Sequence, residues 1–125
     1  MNGATILVVD DNATNLKLVS DVLQFDGYRI LQASDAESAQ EIVSNTPPDL
    51  ILMDIALPGM DGLTLTRLLK ANETTRHIIV IALTAFAMKG DDAKARDAGC
   101  DGYITKPIDT RTLPNAVAGF LRSPS

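Results

Sequence analysis

Five side chains suited to metal or phosphate chemistry stand at the ends of short apolar runs: Asp10, Asp11, Asp54, Thr84 and Lys106. Two carboxylates about 4 Å apart repel by on the order of 1 kcal/mol in water and by ~4 kcal/mol at an effective dielectric constant of 20. Three acids that meet in one pocket therefore require a cation. Their hard oxygen atoms favour Mg²⁺, for which Mn²⁺ can substitute. Ca²⁺ is less favoured, because the sequence contains no acidic loop with the EF-hand spacing.

A carboxylate beside a bound cation can act as a nucleophile toward a phosphoryl donor and form an aspartyl phosphate. This transfer depends mainly on positioning and on neutralising the phosphoryl oxygens. We expect Asp54 to be the nucleophile, because its strand would lie between two others and place it near the middle of the pocket. Lys106, the Thr84 hydroxyl and the backbone N–H groups after Asp54 would contact the oxygens. Asp11 would bind the cation directly, and Asp10 would bind it through a water.

The apolar runs before these side chains predict five strands, at residues 6–9, 28–31, 50–53, 78–83 and 102–105. The first, third and fourth runs are continuous rather than alternating, which is typical of parallel strands covered by helices on both faces. Ligands of such sheets bind at the carboxyl ends of the strands. The predicted sheet therefore brings the acids, the hydroxyl and the ammonium group to one edge.

The stretches between the strands predict helices at residues 14–25, 35–44, 63–71, 89–98 and 112–121. In the first helix, Leu18, Val22 and Phe25 are expected to form the buried stripe. Gly99 is a typical stop for the fourth. The alternation predicts an α/β fold: five βα units forming a doubly wound parallel sheet with the flavodoxin-like strand order 2-1-3-4-5 and three α/β/α layers.

Length and composition narrow the class of protein. The 125 residues fit one domain, which we expect to cover residues 1–125. Cys100 is the only cysteine, so an intramolecular disulfide and a Cys-rich zinc framework are excluded. The net charge of −5 argues against direct nucleic-acid binding. The apolar runs are shorter than the roughly 20 residues that span a bilayer. We expect a cytoplasmic protein with no membrane insertion, whose Lys and Arg residues other than Lys106 lie on the solvated surface.

Four stretches at the predicted strand ends resemble the receiver domains of two-component response regulators, the CheY-like family. They are residues 6–12 (ILVVDDN), 52–62 (LMDIALPGMDG), 82–85 (ALTA) and 103–107 (YITKP). Each stretch alone is weak, but all four in this order are specific, and the resemblance covers essentially the whole chain. Residues 82–91 (ALTAFAMKGD) are also similar to the DivK-type single-domain regulators.

The resemblance implies a phosphorylation-dependent switch rather than an enzyme that turns over other substrates. Asp54 would accept a phosphoryl group from a histidine kinase or a histidine phosphotransfer protein, and the domain would then regulate a downstream protein. Mg²⁺ would be bound by Asp11, Asp54 and the backbone carbonyl of Ala56, with Asp10 in support. We expect a monomer or a weak dimer.

The same resemblance implies how the switch moves. Thr84 would shift toward the phosphoryl group, Lys106 would contact it, and Tyr103 would turn inward into the vacated space. The Lys106–Pro107 peptide bond would be cis. The output face would comprise the fourth helix, the fifth strand and the fifth helix, which correspond to residues 86–98, Tyr103 and residues 109–120.

Other functions fit the residues less well. An aspartyl phosphatase or mutase usually has a second acid two residues after the nucleophile, where this chain has Ala56, and it also needs a cap domain. A flavin carrier of the same fold would need a hydroxyl-rich loop and more than 4% aromatic residues. A receiver-like scaffold without phosphorylation is disfavoured by the complete set of acids and lysine. Because Ala56 and Phe86 cannot orient a water, we predict slow self-dephosphorylation.

Overall fold

The computed structural model describes residues 3–55, 57, 59–84, 91–105 and 108–122. Five parallel strands form one sheet in the order β2-β1-β3-β4-β5, as predicted. Their continuous apolar sequences suit this position, because β1, β3 and β4 are buried along nearly their whole lengths. The strands are β1 (Thr5–Val9), β2 (Arg29–Ala33), β3 (Leu50–Asp54), β4 (Ile79–Thr84) and β5 (Gly102–Thr105).

A helix follows each strand: α1 (Ala13–Phe25), α2 (Ala36–Asn45), α3 (Gly62–Ala71), α4 (Asp91–Ala98) and α5 (Leu113–Arg122). Polar side chains cap the N-termini of the first three helices. Asn12, Asp35 and Asp61 accept hydrogen bonds from backbone N–H groups in the first turns of α1, α2 and α3. Gly99 ends α4 with a φ of +103°, a conformation that glycine adopts without steric cost. The expected stop of the fourth helix is thus confirmed.

The helices cover both faces of the sheet, which confirms the three-layer, doubly wound prediction. Leu7 and Val9 of β1 pack in a core with residues of α2, α3 and α4. Ile6 and Val8 point to the opposite face and pack with residues of α1 and α5. This alternation follows from the two-residue period of a strand. Within the described residues, no helix combines the length and apolar character needed to cross a bilayer.

The predicted buried stripe of the first helix is wrong for Leu18 and Phe25, whereas its third residue, Val22, packs partly buried against the core. Phe25 is 95% exposed and Leu18 is 45% exposed, whereas Val19 and Leu23 are buried against the sheet. This helix carries two apolar stripes, each with helical spacing. The periodicity of the sequence does not decide between them; the packing against β1 and β3 does.

Lys70 also differs from the expectation of a solvated surface lysine. Its ammonium group donates to the carbonyl oxygens of Arg76 and Ile78 at 3.2 and 2.7 Å. It also pairs with a carboxylate oxygen of Asp101 at 3.0 Å, and only 20% of its side chain is exposed. The sequence does not show these contacts, because Asp101 lies 31 residues away along the chain.

Candidate functional site

Three acids meet at the carboxyl edge of the sheet, as predicted. Asp54 is the last residue of β3, and Asp10 and Asp11 directly follow β1. The pairing of Val9 with Met53 places the next residue of each chain segment, Asp10 and Asp54, side by side. One carboxylate oxygen from each acid lies within 4.8 Å of the other two.

The three acids differ in exposure. Asp10 and Asp54 are 1% and 4% exposed, while Asp11 is exposed to solvent. The loop after β1 holds Asp10 in place: its N–H donates to the carbonyl of Ala33 at 3.1 Å, and its Oδ1 accepts from the N–H of Asn12 at 2.9 Å. The pocket therefore has a buried floor with one solvent-facing acid at its rim.

The donor set fits a hard divalent cation. Carboxylate oxygens less than 5 Å apart repel one another, and two of these groups are shielded from bulk water. Mg²⁺ binds through one or two carboxylates and keeps several waters, which suits an acid pocket that opens toward solvent through Asp11. Mn²⁺ accepts the same oxygen ligands. The remaining expected ligand, the carbonyl of Ala56, lies outside the described residues.

Thr84 ends β4 beside this pocket. Asp54 pairs with Leu83 in the sheet, so Thr84 lies one residue beyond the partner of the candidate nucleophile. The Ile55 N–H donates to the Leu83 carbonyl at 3.2 Å, which continues the pairing past the end of β3. Thr84 is buried and pairs with Thr105 of β5. Lys106, the next residue of the chain, and Pro107 lie outside the described residues.

Comparison with known proteins decides the family. The sequence pattern of the response regulator receiver domain matches residues 6–118. The chain belongs to the response regulator receiver domain family. This receiver domain is 42% identical over 117 residues to the polar-differentiation response regulator DivK of Brucella ovis. That match covers 94% of this chain and 95% of the DivK protein.

Solved receiver domains share the fold. The signal receiver domain of a signal transduction histidine kinase from Syntrophus aciditrophicus is 33% identical, with a TM-score of 0.88 and coverage of 98% of this chain and 96% of that one. The BeF3-activated DrrB receiver domain is 30% identical, with a TM-score of 0.87 and coverage of 97% and 99%. The present receiver domain accordingly acts in two-component signalling.

Tyr103 of the receiver domain lies on β5, at the edge of the described sheet. It is 46% exposed and contributes, with Ala95, Arg96 and Asp101, to a shallow cavity of about 230 Å³ between α4 and β5. The ring is therefore not inserted beside Thr84 in this structure. Tyr103 and Thr84 lie near each other on adjacent strands, so the expected inward turn would bring the ring toward Thr84.

Gly62, the first residue of α3, packs closely against the end of β3 and was not among the residues predicted for the site. A Cβ atom at this position would overlap the backbone carbonyl oxygen of Asp54 and lie 2.9 Å from the Ile55 Cα. The missing side chain thus lets α3 begin directly against the end of β3. Because residue 62 falls just before the predicted third helix, where a turn glycine is ordinary, no signal in the sequence pointed to this close packing.

Proposed function

We propose that this receiver domain accepts a phosphoryl group on Asp54 in a reaction that requires Mg²⁺. One observation carries the proposal: oxygens of Asp10, Asp11 and Asp54 lie within 4.8 Å of one another at the carboxyl edge of the sheet. A cluster of this kind costs electrostatic free energy unless a cation occupies it. The cation then makes the approach of an anionic phosphoryl donor favourable.

In the proposed reaction, a carboxylate oxygen of Asp54 attacks the phosphorus of the donor. The new O–P bond forms while the bond from phosphorus to the donor breaks, and its electron pair leaves with the imidazole nitrogen of a phosphohistidine or with acetate. Asp11, Asp54 and the Ala56 carbonyl would hold the cation, with Asp10 in support through a water. Bound Mg²⁺, or Mn²⁺ in its place, supplies positive charge for the phosphoryl oxygens.

The switching part of the proposal involves Thr84, Lys106 and Tyr103. The Thr84 hydroxyl and the Lys106 ammonium group would donate to the phosphoryl oxygens, and Tyr103 would turn inward as Thr84 moves. Moving a two-state domain from 1:99 to 99:1 needs a preference of ~5.5 kcal/mol for the active state. Charge-assisted hydrogen bonds, at about 1.5–3 kcal/mol each, can supply this with a few contacts.

The proposed partners rest on membership of the receiver domain family. The donor would be a histidine kinase or a histidine phosphotransfer protein, and the target a protein that contacts α4, β5 and α5. Residues 1–125 would act as one receiver unit in the cytoplasm, as a monomer or weak dimer, without direct nucleic-acid binding. The likeness to the response regulator DivK and to the BeF3-activated DrrB receiver domain supports this proposal.

Acetyl phosphate provides the test, because it needs no partner protein. The purified domain is incubated with acetyl phosphate and Mg²⁺, and its intact mass is measured. We expect addition of one phosphoryl group, little addition when EDTA removes the cation, and none in Asp54→Asn.

Asp61→Asn is the matched control. Asp61 is an exposed acid near the pocket whose Oδ1 accepts from the Thr64 N–H at 2.8 Å at the start of α3. An asparagine retains this capping hydrogen bond, so Asp61→Asn should be labelled like the wild type. Equal labelling of wild type and Asp54→Asn would refute the proposal.

A further inference from the structure

Lys70, near the end of α3, connects three separate parts of the chain. Its Nζ donates to the carbonyls of Arg76 and Ile78, at 3.2 and 2.7 Å, and to Oδ2 of Asp101 at 3.0 Å. The same Asp101 oxygen accepts from the Val80 N–H at 2.8 Å. The Lys70–Asp101 pair therefore joins the end of α3, the start of β4 and the turn between α4 and β5.

The turn between α4 and β5 is also fixed by its own backbone. The N–H groups of residues 99, 100 and 101 donate to the carbonyls of Arg96, Ala95 and Val80 at 3.0, 3.0 and 2.7 Å. Gly99 supplies the positive φ that this geometry requires. Two amides of the turn thus bond to the last turn of α4, and the third bonds to β4.

The described side chains in the N-terminal half of α4 contribute little to its packing. Among the side chains of this helix that the structure describes, the buried ones are Ala95 and Ala98, both in its C-terminal half. An alanine removes little apolar area from water, so each contributes little to docking. Ala93 and Lys94 are exposed. Among the described side chains of α4, those that dock it against the fold therefore lie toward its C-terminal end, next to the Lys70–Asp101 pair.

We propose that Lys70 is a positioning residue that makes the C-terminal end of α4 a fixed pivot. The response to phosphorylation is then confined to the N-terminal half of α4, while residues 99–101 stay in place and hold β5, with Tyr103, in register. This inference rests on the proposed phosphorylation of Asp54. It identifies the part of the output face that stays in place when the domain is phosphorylated.

Hydrogen–deuterium exchange tests the pivot, with intact mass measured on the same samples before and after treatment with acetyl phosphate and Mg²⁺. In the wild type, phosphorylation should change exchange at residues 91–94 and leave residues 99–101 unchanged. In Lys70→Met, which keeps an apolar stem, exchange at residues 99–101 should be about tenfold faster, because a charged hydrogen-bond donor is lost. The phosphorylation response should then spread to these residues.

Two further variants separate the pivot from a general loss of stability. Asp101→Asn keeps an acceptor for the Val80 N–H but removes the charge, and it should reproduce the effect of Lys70→Met, with little added in the double variant. Lys17→Met breaks an exposed ion pair with Asp21 on α1 and should leave residues 99–101 unchanged.

The possible failures are distinguishable. If the wild type gains phosphoryl mass but residues 99–101 respond as strongly as residues 91–94, the pivot is refuted and the proposed function stands. The same conclusion follows if Lys70→Met and Asp101→Asn exchange at these residues like the wild type. If no phosphoryl mass is gained, both proposals fail.

Discussion

Tyr103 and Thr84 lie on the same face of the sheet, one diagonal step apart across the pairing of β4 with β5. Tyr103 pairs with Ala82, and Thr84 pairs with Thr105, two residues further along each strand. Thr84 is 4% exposed and Tyr103 is 46% exposed. A displacement of Thr84 toward Asp54 would therefore open space next to a tyrosine that has room to move.

Phosphorylation should protect Tyr103 from solvent. The chain has no tryptophan and two tyrosines, of which Tyr28 is only 4% exposed, so quenching of tyrosine fluorescence by acrylamide mainly measures Tyr103. We expect quenching to fall when the domain is phosphorylated. Tyr103→Phe should lack the change, and Thr84→Ala should weaken it while still accepting the phosphoryl group. Unchanged quenching in a fully phosphorylated wild type would contradict the inward turn.

Gly62→Ala should lower both stability and phosphorylation. The new methyl group would overlap the Asp54 carbonyl oxygen and approach the Met53 Cγ to 2.9 Å, so β3 or α3 must shift. Overpacking of this kind typically costs about 1–3 kcal/mol. Urea denaturation measures the loss, and the rate of labelling by acetyl phosphate measures the effect on the pocket.

Gly119→Ala is the matched control for Gly62→Ala. Gly119 lies in α5, is exposed, and would place its new Cβ in open space. Alanine is the better helix former, so this change should raise stability by roughly 0.5–1 kcal/mol and leave labelling unaltered. Similar effects of the two substitutions would show that contact with Asp54 is not what requires glycine at position 62.

Asp35 should make the start of α2 sensitive to acid. Its Oδ1 accepts from the Ser38 N–H at 2.7 Å, and this hydrogen bond lowers the pKa of the carboxyl group. A lowered pKa in the folded state means that the stabilisation is present above the unfolded pKa, near 4, and is lost as pH falls through the folded value. Urea midpoints measured from pH 7 to pH 3 should show this loss.

Asp35→Asn and Asp35→Ala separate the cap from its charge. Asparagine still accepts the hydrogen bond, so Asp35→Asn should keep most of the stability at neutral pH and lose the acid-dependent part. Asp35→Ala should be less stable across the whole range. An unchanged acid profile in Asp35→Asn would mean that other carboxylates account for the pH dependence.

The phosphoryl group, once bound, should be lost slowly. The side chains of Ala56 and Phe86, two residues after Asp54 and Thr84, have no polar atom that can orient an attacking water. Wild-type domain freed of acetyl phosphate should keep its label for a long time at neutral pH with Mg²⁺ present. Ala56→Asn, which adds a polar side chain, should shorten the lifetime. A wild-type label as short-lived as that of Ala56→Asn would contradict this prediction.

The parts of the fold that depend on local pattern were predictable from the sequence. Continuous apolar runs such as residues 50–53 indicated buried parallel strands, and the alternation of strands with helices then limited the topology to a few arrangements. Because parallel strands end at a common edge, Asp54 and Asp10 could be placed together before any contact was known. To predict that these two acids lie together, only the strand order and the positions of the strand ends were needed.

Features that depend on contacts distant in sequence were not predictable. The choice between Val19 and Leu18 as the buried side of α1 is made by the helix's orientation on the sheet. The Lys70–Asp101 pair joins segments 31 residues apart, and neither residue type indicates a partner. Gly62 resembled an ordinary turn glycine, since the chain alone does not show that its Cα lies against Asp54.

Identification of the modified residue tests the central claim most directly. The domain is labelled with acetyl phosphate and Mg²⁺ and then treated with sodium borohydride, which reduces an acyl phosphate to an alcohol and so converts a phosphorylated aspartate into homoserine. Peptide mass spectrometry should find homoserine at position 54, and only in the presence of the divalent cation. Homoserine at Asp10, Asp11 or Asp61 instead, or none at position 54 in protein shown to carry a phosphoryl group, would contradict the assignment of Asp54.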